Sequence, residues 1–197
     1  VSIIAGSMKT ARITMRVGAL PQVPVGRLKY ALSWNTWGLV NEYIRPCPAL
    51  IDGEYRLLDP MTNLVHLDDE YEAFNTSGGI GTFAETASVR QAMYQTIRYR
   101  GHCWEITQLL KAMQPDKLVD LLDRTLPRGG PDKVIIRVND YHRTVFPKDG
   151  MSAIQRTTAA GVVAVMLWAM EHELPVRNGG WVALEDIPLS EIACYQC

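Results

Sequence analysis

Residues 71–102 hold two polar knots joined by a helix-like spacer. The first is a Gly-rich turn rimmed by hydroxyl and amide groups: Asn75, Thr76, Ser77, Gly78, Gly79, Gly81 and Thr82. The second is Thr96, Arg98, Tyr99, Arg100 and His102. Backbone amides and cations brought together in this way suit one small anionic or polar ligand, because arginine grips a carboxylate through a planar two-bond fork. Arg98, Arg100 and His102 fall at every second position, which on a strand puts all three on one face. Such a cationic stripe fits a dicarboxylate; the competing reading is an ordinary solvated strand face. His102 is the candidate catalytic group, since imidazole exchanges a proton near neutral pH, although a lone histidine is more often structural.

Gly79-Ile80-Gly81-Thr82-Phe83-Ala84 matches G-x-G-x-x-A, the phosphate cradle of a dinucleotide site. Its flanks argue against that use. Asn75-Thr76-Ser77-Gly78 is not the end of a buried Val/Ile strand, and no second strand with a ribose-binding acid follows about 20 residues on. Two readings stay open, a glycine turn ahead of a capped helix and a helix start whose N–H groups face a substrate carboxylate. Cys194 and Cys197 form half of a zinc or redox motif, and no second Cys or Cys/His pair completes it, so no metal is expected. Trp34 and Trp37 are expected to pack in the core, the alternative being a pocket wall.

The elements that position these groups must come from a chain of 197 residues, enough for a single domain with a sizeable core. Lys plus Arg number 20 against 21 Asp plus Glu, a net charge of −1. That balance gives no reason to expect nucleic acid or an anionic membrane as partner, which leaves small-molecule binding. The strongly apolar run 159–170 is short of the about 20 residues a membrane span requires and reads as a buried core helix. Four scattered cysteines, Cys47, Cys103, Cys194 and Cys197, do not make a disulfide framework, which favours the cytoplasm.

Residues 10–18 alternate apolar and polar like a half-buried strand. Residues 19–27, with two prolines, read as an extended turn, and 28–34 as a strand. Asn35 or Thr36 caps a short helix over 37–43. Asp52-Gly53 inside 49–60 marks a hairpin. Residues 71–74 are a strand; Thr82 opens a helix with Glu85 at capping-box spacing and Ala84, Ala87, Val89 and Met93 near one face; 94–99 are again a strand. Residues 103–125 outline a helical hairpin whose second helix is capped by Asp116. Strands follow at 133–139 and 141–146, then a long helix at 152–172 and a short strand or extended segment at 181–187. The fold class is α+β: one mixed, largely antiparallel sheet covered by helices mainly on one side.

Four stretches, LKYALSWNTWGLVNEYI (28–44), YEAFNTSGGIGTFAET (71–86), YQTIRYRGH (94–102) and the tail MSAIQRTTAAG...LPVRNGGWVALEDIPL (151–189), resemble in order the carboxyl-terminal part of the saccharopine dehydrogenase-like family, the group of saccharopine reductases and carboxynorspermidine synthases. The combination of SW-x-x-x-G, F-x-TSGG-x-GT and T-x-RY-x-GH is far more specific than any of its parts. The resemblance implies a substrate-binding and dimerisation domain, 1–197, of an NAD- or NADP-dependent oxidoreductase whose Rossmann domain lies upstream. It implies an amino-acid-like substrate with a secondary amine interconverted with an imine by hydride transfer, and a homodimer. Ser33 and Trp34 match the segment that touches the cofactor. Asn75, Thr76 and Ser77 match the loop that in the saccharopine reductases reads Asn-Arg-Asp-Ser; Thr76 stands in place of that arginine, which moves the reading toward the TSGG-type relatives. Thr96, Ile97 and Arg98 match the second substrate segment, with Arg98 as carboxylate clamp. A non-catalytic dimerisation or ligand-binding module of the same fold is the alternative.

Overall fold

The computed structural model describes residues 11–86, 89–180 and 182–192. Strand β1, Arg12–Pro21, buries Ile13, Met15 and Leu20 and continues past the expected end of the alternation into the first proline. Residues 28–34 do not form a strand: they run as turns with a single bridge from Leu32 to Arg128. Helix α1, Thr36–Ile44, is capped by the Asn35 side chain, which accepts from the Gly38 amide. Strands β2, Cys47–Ile51, and β3, Glu54–Leu58, form the expected hairpin, with Asp52 and Gly53 both at positive φ as a tight two-residue turn demands.

Strand β4, Val65–His66, pairs with β5, Tyr71–Asn75. Helix α2, Phe83–Thr86, is a single turn; Ala87 lies outside the described residues, and Met93 belongs to strand β6, Gln91–Tyr99, not to the helix. Helices α3, His102–Ala112, and α4, Pro115–Thr125, form the expected hairpin. Gln114, not Asp116, is the N-cap of α4, because Pro115 occupies the first helical position, where its missing N–H costs nothing. Strands β7, Asp132–Val138, and β8, Tyr141–Val145, lead to helix α5, Ala153–Glu171, and then to the short α6, Leu189–Ile192. Residues 184–186 are a 3₁₀ turn, not part of a strand, and Cys194 and Cys197 lie outside the described residues.

The sheet runs β3-β2-β6-β1-β7-β8, with β5 also paired to β6 and β4 to β5. Only β1 with β6 is parallel among these pairs. The α+β expectation stands. Helices α1, α3 and α4 cover one face through Leu39, Val40, Tyr43, Ile106, Leu118 and Leu122 packed about Phe74 of β5.

Helix α5 corrects the sequence reading. Of its residues only Ala153, Ala164 and Trp168 are buried, while Val162, Met166 and Met170 are 56%, 60% and 81% exposed. Residues 159–170 are apolar all round, so no periodicity marked the single stripe, Ala164 and Trp168, that packs on Ile187 and Ile192. At 19 residues α5 is also long and apolar enough to cross a membrane, by length and composition alone.

Candidate functional site

The site is built where β5 and β6 meet α1 and α3. Register pairs Glu72 with Arg98 and Phe74 with Thr96, so alternation turns Arg98 and Thr96 toward the helices. The chain leaves β6 through Gly101 at φ 95 and starts α3 at once. Glu72 fixes that start: its carboxylate accepts from the Gly101 and Cys103 amides at 2.9 and 2.7 Å, where the helix N-terminus favours negative charge. His102 is thereby held under Tyr43.

A directed chain of hydrogen bonds follows from elementary donor rules. His102 Nδ1 lies 2.8 Å from the Leu28 carbonyl, which can only accept, so Nδ1 carries the proton. Nε2 is then the acceptor for the Tyr43 hydroxyl at 3.0 Å, and Tyr43 Oη accepts from Arg98 Nε at 3.2 Å. Burial, and next the Arg98 charge, push the His102 pKa down to about 3 against the Leu28 hydrogen bond. Histidine is therefore neutral at physiological pH with both nitrogens engaged. Burial pushes the Tyr43 phenol up as well, outweighing Arg98.

Arg98 is 4% exposed. Its Nη1 donates to the Ile97 carbonyl at 3.0 Å and its guanidinium lies 4.9 Å from the centre of the Tyr30 ring. Burial opposes its charge, but Tyr43, Tyr30 and Glu42 outweigh that, so its pKa lies above the ordinary value. Nη2 faces Glu42 Oε2 at 3.8 Å, and Glu42 is the more open partner, 25% exposed against 5%. Burial raises the Glu42 pKa, with Arg98 opposing.

The Gly-rich turn closes over this pair. Ser77 donates its amide to the Glu42 carbonyl at 3.0 Å and its hydroxyl to the Asn41 carbonyl at 3.2 Å, which ties the turn to the end of α1. Thr76 Oγ1 donates to Thr96 Oγ1 at 3.0 Å. A side chain at Gly79 would overlap the Tyr94 ring, and one at Gly38 would overlap Trp34. Both glycines admit an aromatic ring that any other residue would displace. The Tyr94 phenol is pushed up to about 12, by burial first and then by Glu42.

Thr76, Thr96, Arg98 and His102 thus come together on one face, with Ser77 at its edge. Ile97 points the other way, fully buried with Leu20, Ala73, Tyr99 and Ile135. Asn75 is fully buried, its Nδ2 donating to Thr62 Oγ1 and its Oδ1 without a partner. The cationic stripe does not form, because β6 ends at Tyr99: Arg100 lies in a turn beside His66 and Asp69, and His102 belongs to α3. Ser33 lines a hollow of about 130 Å³ with Ala31, Gly129, Asp132 and Ser152; none of the residues around Arg98 lines it. Trp34 and Trp37 are 40% and 47% exposed, at the surface and not in the core. Glu42, Tyr30, Tyr43 and Glu72 escaped sequence reasoning. The legible signal was Glu42 as the one charged residue of the largely apolar TWGLVNEYI helix.

The Gly79–Ala84 stretch is not a dinucleotide cradle. The strand before it, β5, is antiparallel to both neighbours, and the helix after it is one turn, whereas the cradle needs a parallel β-turn-α unit.

No family model matches the chain. Among solved structures it is similar to apo, histidine-tagged saccharopine dehydrogenase (L-Glu forming) from Saccharomyces cerevisiae, with a TM-score of 0.63 at 12% identity. The match covers 95% of this chain and 64% of that one. This chain has the fold of a saccharopine dehydrogenase domain.

Proposed function

We propose that the chain is the substrate-side domain of an NAD- or NADP-dependent oxidoreductase that interconverts a secondary amine joining two amino-acid-like halves with its imine. The observation that carries the reading is the Arg98–Glu42 pair: a buried fixed cation whose only partly open neighbour is a carboxyl of raised pKa, under a hydroxyl-rimmed glycine turn. The likeness to saccharopine dehydrogenase in fold supports the class of chemistry.

On this reading, as the family resemblance implies, a Rossmann domain upstream of these residues holds the cofactor. The residues of this chain supply binding and proton management. Glu42 holds a proton for the substrate nitrogen and takes it back in the reverse direction, its raised pKa suiting exchange with a nitrogen base. Arg98 fixes the Glu42 carboxyl and presents positive charge to a substrate carboxylate at the mouth. Tyr43 and His102 orient Arg98 from behind; His102 acts as a positioning residue. Exposed Trp34 and Trp37 offer apolar surface beside Ser33 for the cofactor side of the cleft.

The test uses the full-length protein with NADH or NADPH and pairings of amino-acid semialdehydes with amines. Glu42→Gln is expected to lower kcat by 10²–10⁴-fold, the usual range for a lost general acid (about that order), and to remove one ionisation from the pH profile. Oxidation of the cofactor by no pairing sinks the proposal, and an unchanged profile in the variant removes Glu42 from it. The second reading, a non-catalytic dimerisation or ligand module, is favoured by the commitment of Arg98 Nε and Nη1 to Tyr43 and Ile97. Unchanged turnover in an Arg98→Ala variant that still folds selects it.

A further inference from the structure

The sheet face turned away from α1, α3 and α4 carries a second polar array. Cross-strand register sets Gln95, Arg16, Arg137 and His142 in one row over β6, β1, β7 and β8. Arg16 Nε donates to Gln95 Oε1 at 2.8 Å, which places both on this face. An open groove of about 380 Å³ runs beside the row, from Arg137 and His142 over Ile135 and Thr144 to Lys133 and Tyr71, with Arg143 and Phe146 along its margin; Arg16 does not line it but stands across from Arg137, one strand over.

The charges of this face do not balance. Lys133 lies over the rings of Tyr71 and Tyr99, contacts Tyr71 Oη at 2.5 Å and has Glu70 at 3.9 Å. Arg137 has Asp68 at 3.2 Å. Among the described residues Arg16 has no carboxylate within ion-pair distance. It stands directly across from Arg137, and like charges directly opposite on a sheet repel. Burial, and then Arg137, lower the Arg16 pKa below the ordinary value. Two acids thus face three cations, with Arg143 a fourth at the margin.

We propose that this groove binds a small oxyanion-bearing ligand, its phosphate or carboxylate seated between Arg16 and Arg137 and its body lying over Ile135 toward Lys133. A bridging oxyanion removes the repulsion that the bare pair carries and accepts from two planar donors, the arrangement that favours arginine at such sites. Lys133 and Arg137 are separated by four strand residues, about 13 Å, so an elongated ligand with anions at both ends engages both. The groove is on the opposite face of the sheet from Arg98 and Glu42, and the proposal is independent of amine chemistry there.

Inorganic phosphate and citrate, each against chloride at matched ionic strength, are titrated into the full chain by calorimetry and by thermal unfolding. Saturable binding is expected for at least one. Phosphate alone marks a phosphorylated ligand, and citrate alone a carboxylate. Arg16→Gln and Arg137→Gln are each expected to weaken binding about tenfold or more, with far-UV circular dichroism unchanged. Arg16→Lys, which keeps the charge and loses the fork, is expected to fall between. Arg100→Gln, outside the groove, retains full affinity. No response beyond chloride for either anion, or wild-type affinity in folded Arg16→Gln, overturns the proposal.

Discussion

Acidification offers a direct test of the hydrogen-bond chain at His102. Its pKa stands at about 3 in the fold against an ordinary 6.5, so below 6.5 the unfolded chain takes up a proton that the folded one refuses. The stability this imidazole contributes is complete above pH 6.5 and is lost as pH falls toward about 3. At about 1.4 kcal/mol per pH unit, the loss is about 1.4 kcal/mol at about pH 5.5 and about 2.7 kcal/mol at about pH 4.5. Glu42 works in the other sense. Its raised pKa lets the folded form take its proton first, so acidification returns part of the loss. His102→Asn separates the two: an amide N–H still reaches toward the Leu28 carbonyl but does not titrate. The variant leaves the Tyr43 hydroxyl without its acceptor, a constant cost of about 1–2 kcal/mol. In urea unfolding at a series of pH values, the gap between the two proteins should narrow by about 1.4 kcal/mol from about pH 7.5 to about pH 5.5. Parallel stability curves would show that His102 protonates freely in the fold and would refute the assigned tautomer and chain.

Three further outcomes follow from packing. Gly79→Ala drives a methyl group into the Tyr94 ring and should cost about 1–3 kcal/mol in the denaturation midpoint. Asp132→Asn, which leaves one oxygen where a carboxylate now serves the Ala153 and Ile154 amides at 2.7 and 3.0 Å, should cost about 1–2 kcal/mol and fray the start of α5 by hydrogen exchange. On α5 itself, Met170→Glu should leave thermal stability within about 0.5 kcal/mol, while Ala164→Glu, in the fully buried stripe, should detach the helix from the segment 182–192 and lower the melting temperature sharply.

Much of the sheet was legible because its strands carry local signals. Asp52-Gly53 announces its own hairpin, and KVIIRV is rich in the β-branched residues that favour a strand. The helical hairpin read at 103–125 was legible through its leucine spacing and Pro115. What escaped depends on tertiary partners. Residues 28–34 look like a strand by composition, yet Leu28 serves His102 and Leu32 bridges to Arg128, contacts that no local pattern encodes. The candidate site shows the same division. Thr76, Thr96 and Arg98 were legible as members of two polar knots, and they do converge. Glu72 was not, because its value lies in facing the helix that begins after Arg98, which only the β5–β6 register reveals. The spacing of Arg98, Arg100 and His102 misled because a strand period was extended across a strand end. Helix α5 misled because uniform apolarity erases the periodicity that would name its buried side.

The position of β1 has a kinetic consequence. This first strand is flanked by β6 and β7, and its contacts close very long loops: Arg16 to Gln95 spans 79 residues and Thr14 to Asn139 spans 125. Such closures are slow, and no native contact made before them rewards the chain for holding β1 extended. During synthesis Ile13 and Met15 stay without their strand partners Ala92 and Tyr94 until β6 has emerged, and the other edge of β1 stays open until β7 follows. The natural risk for this protein is association through that open apolar strand in the interval before β6 and β7 close on it.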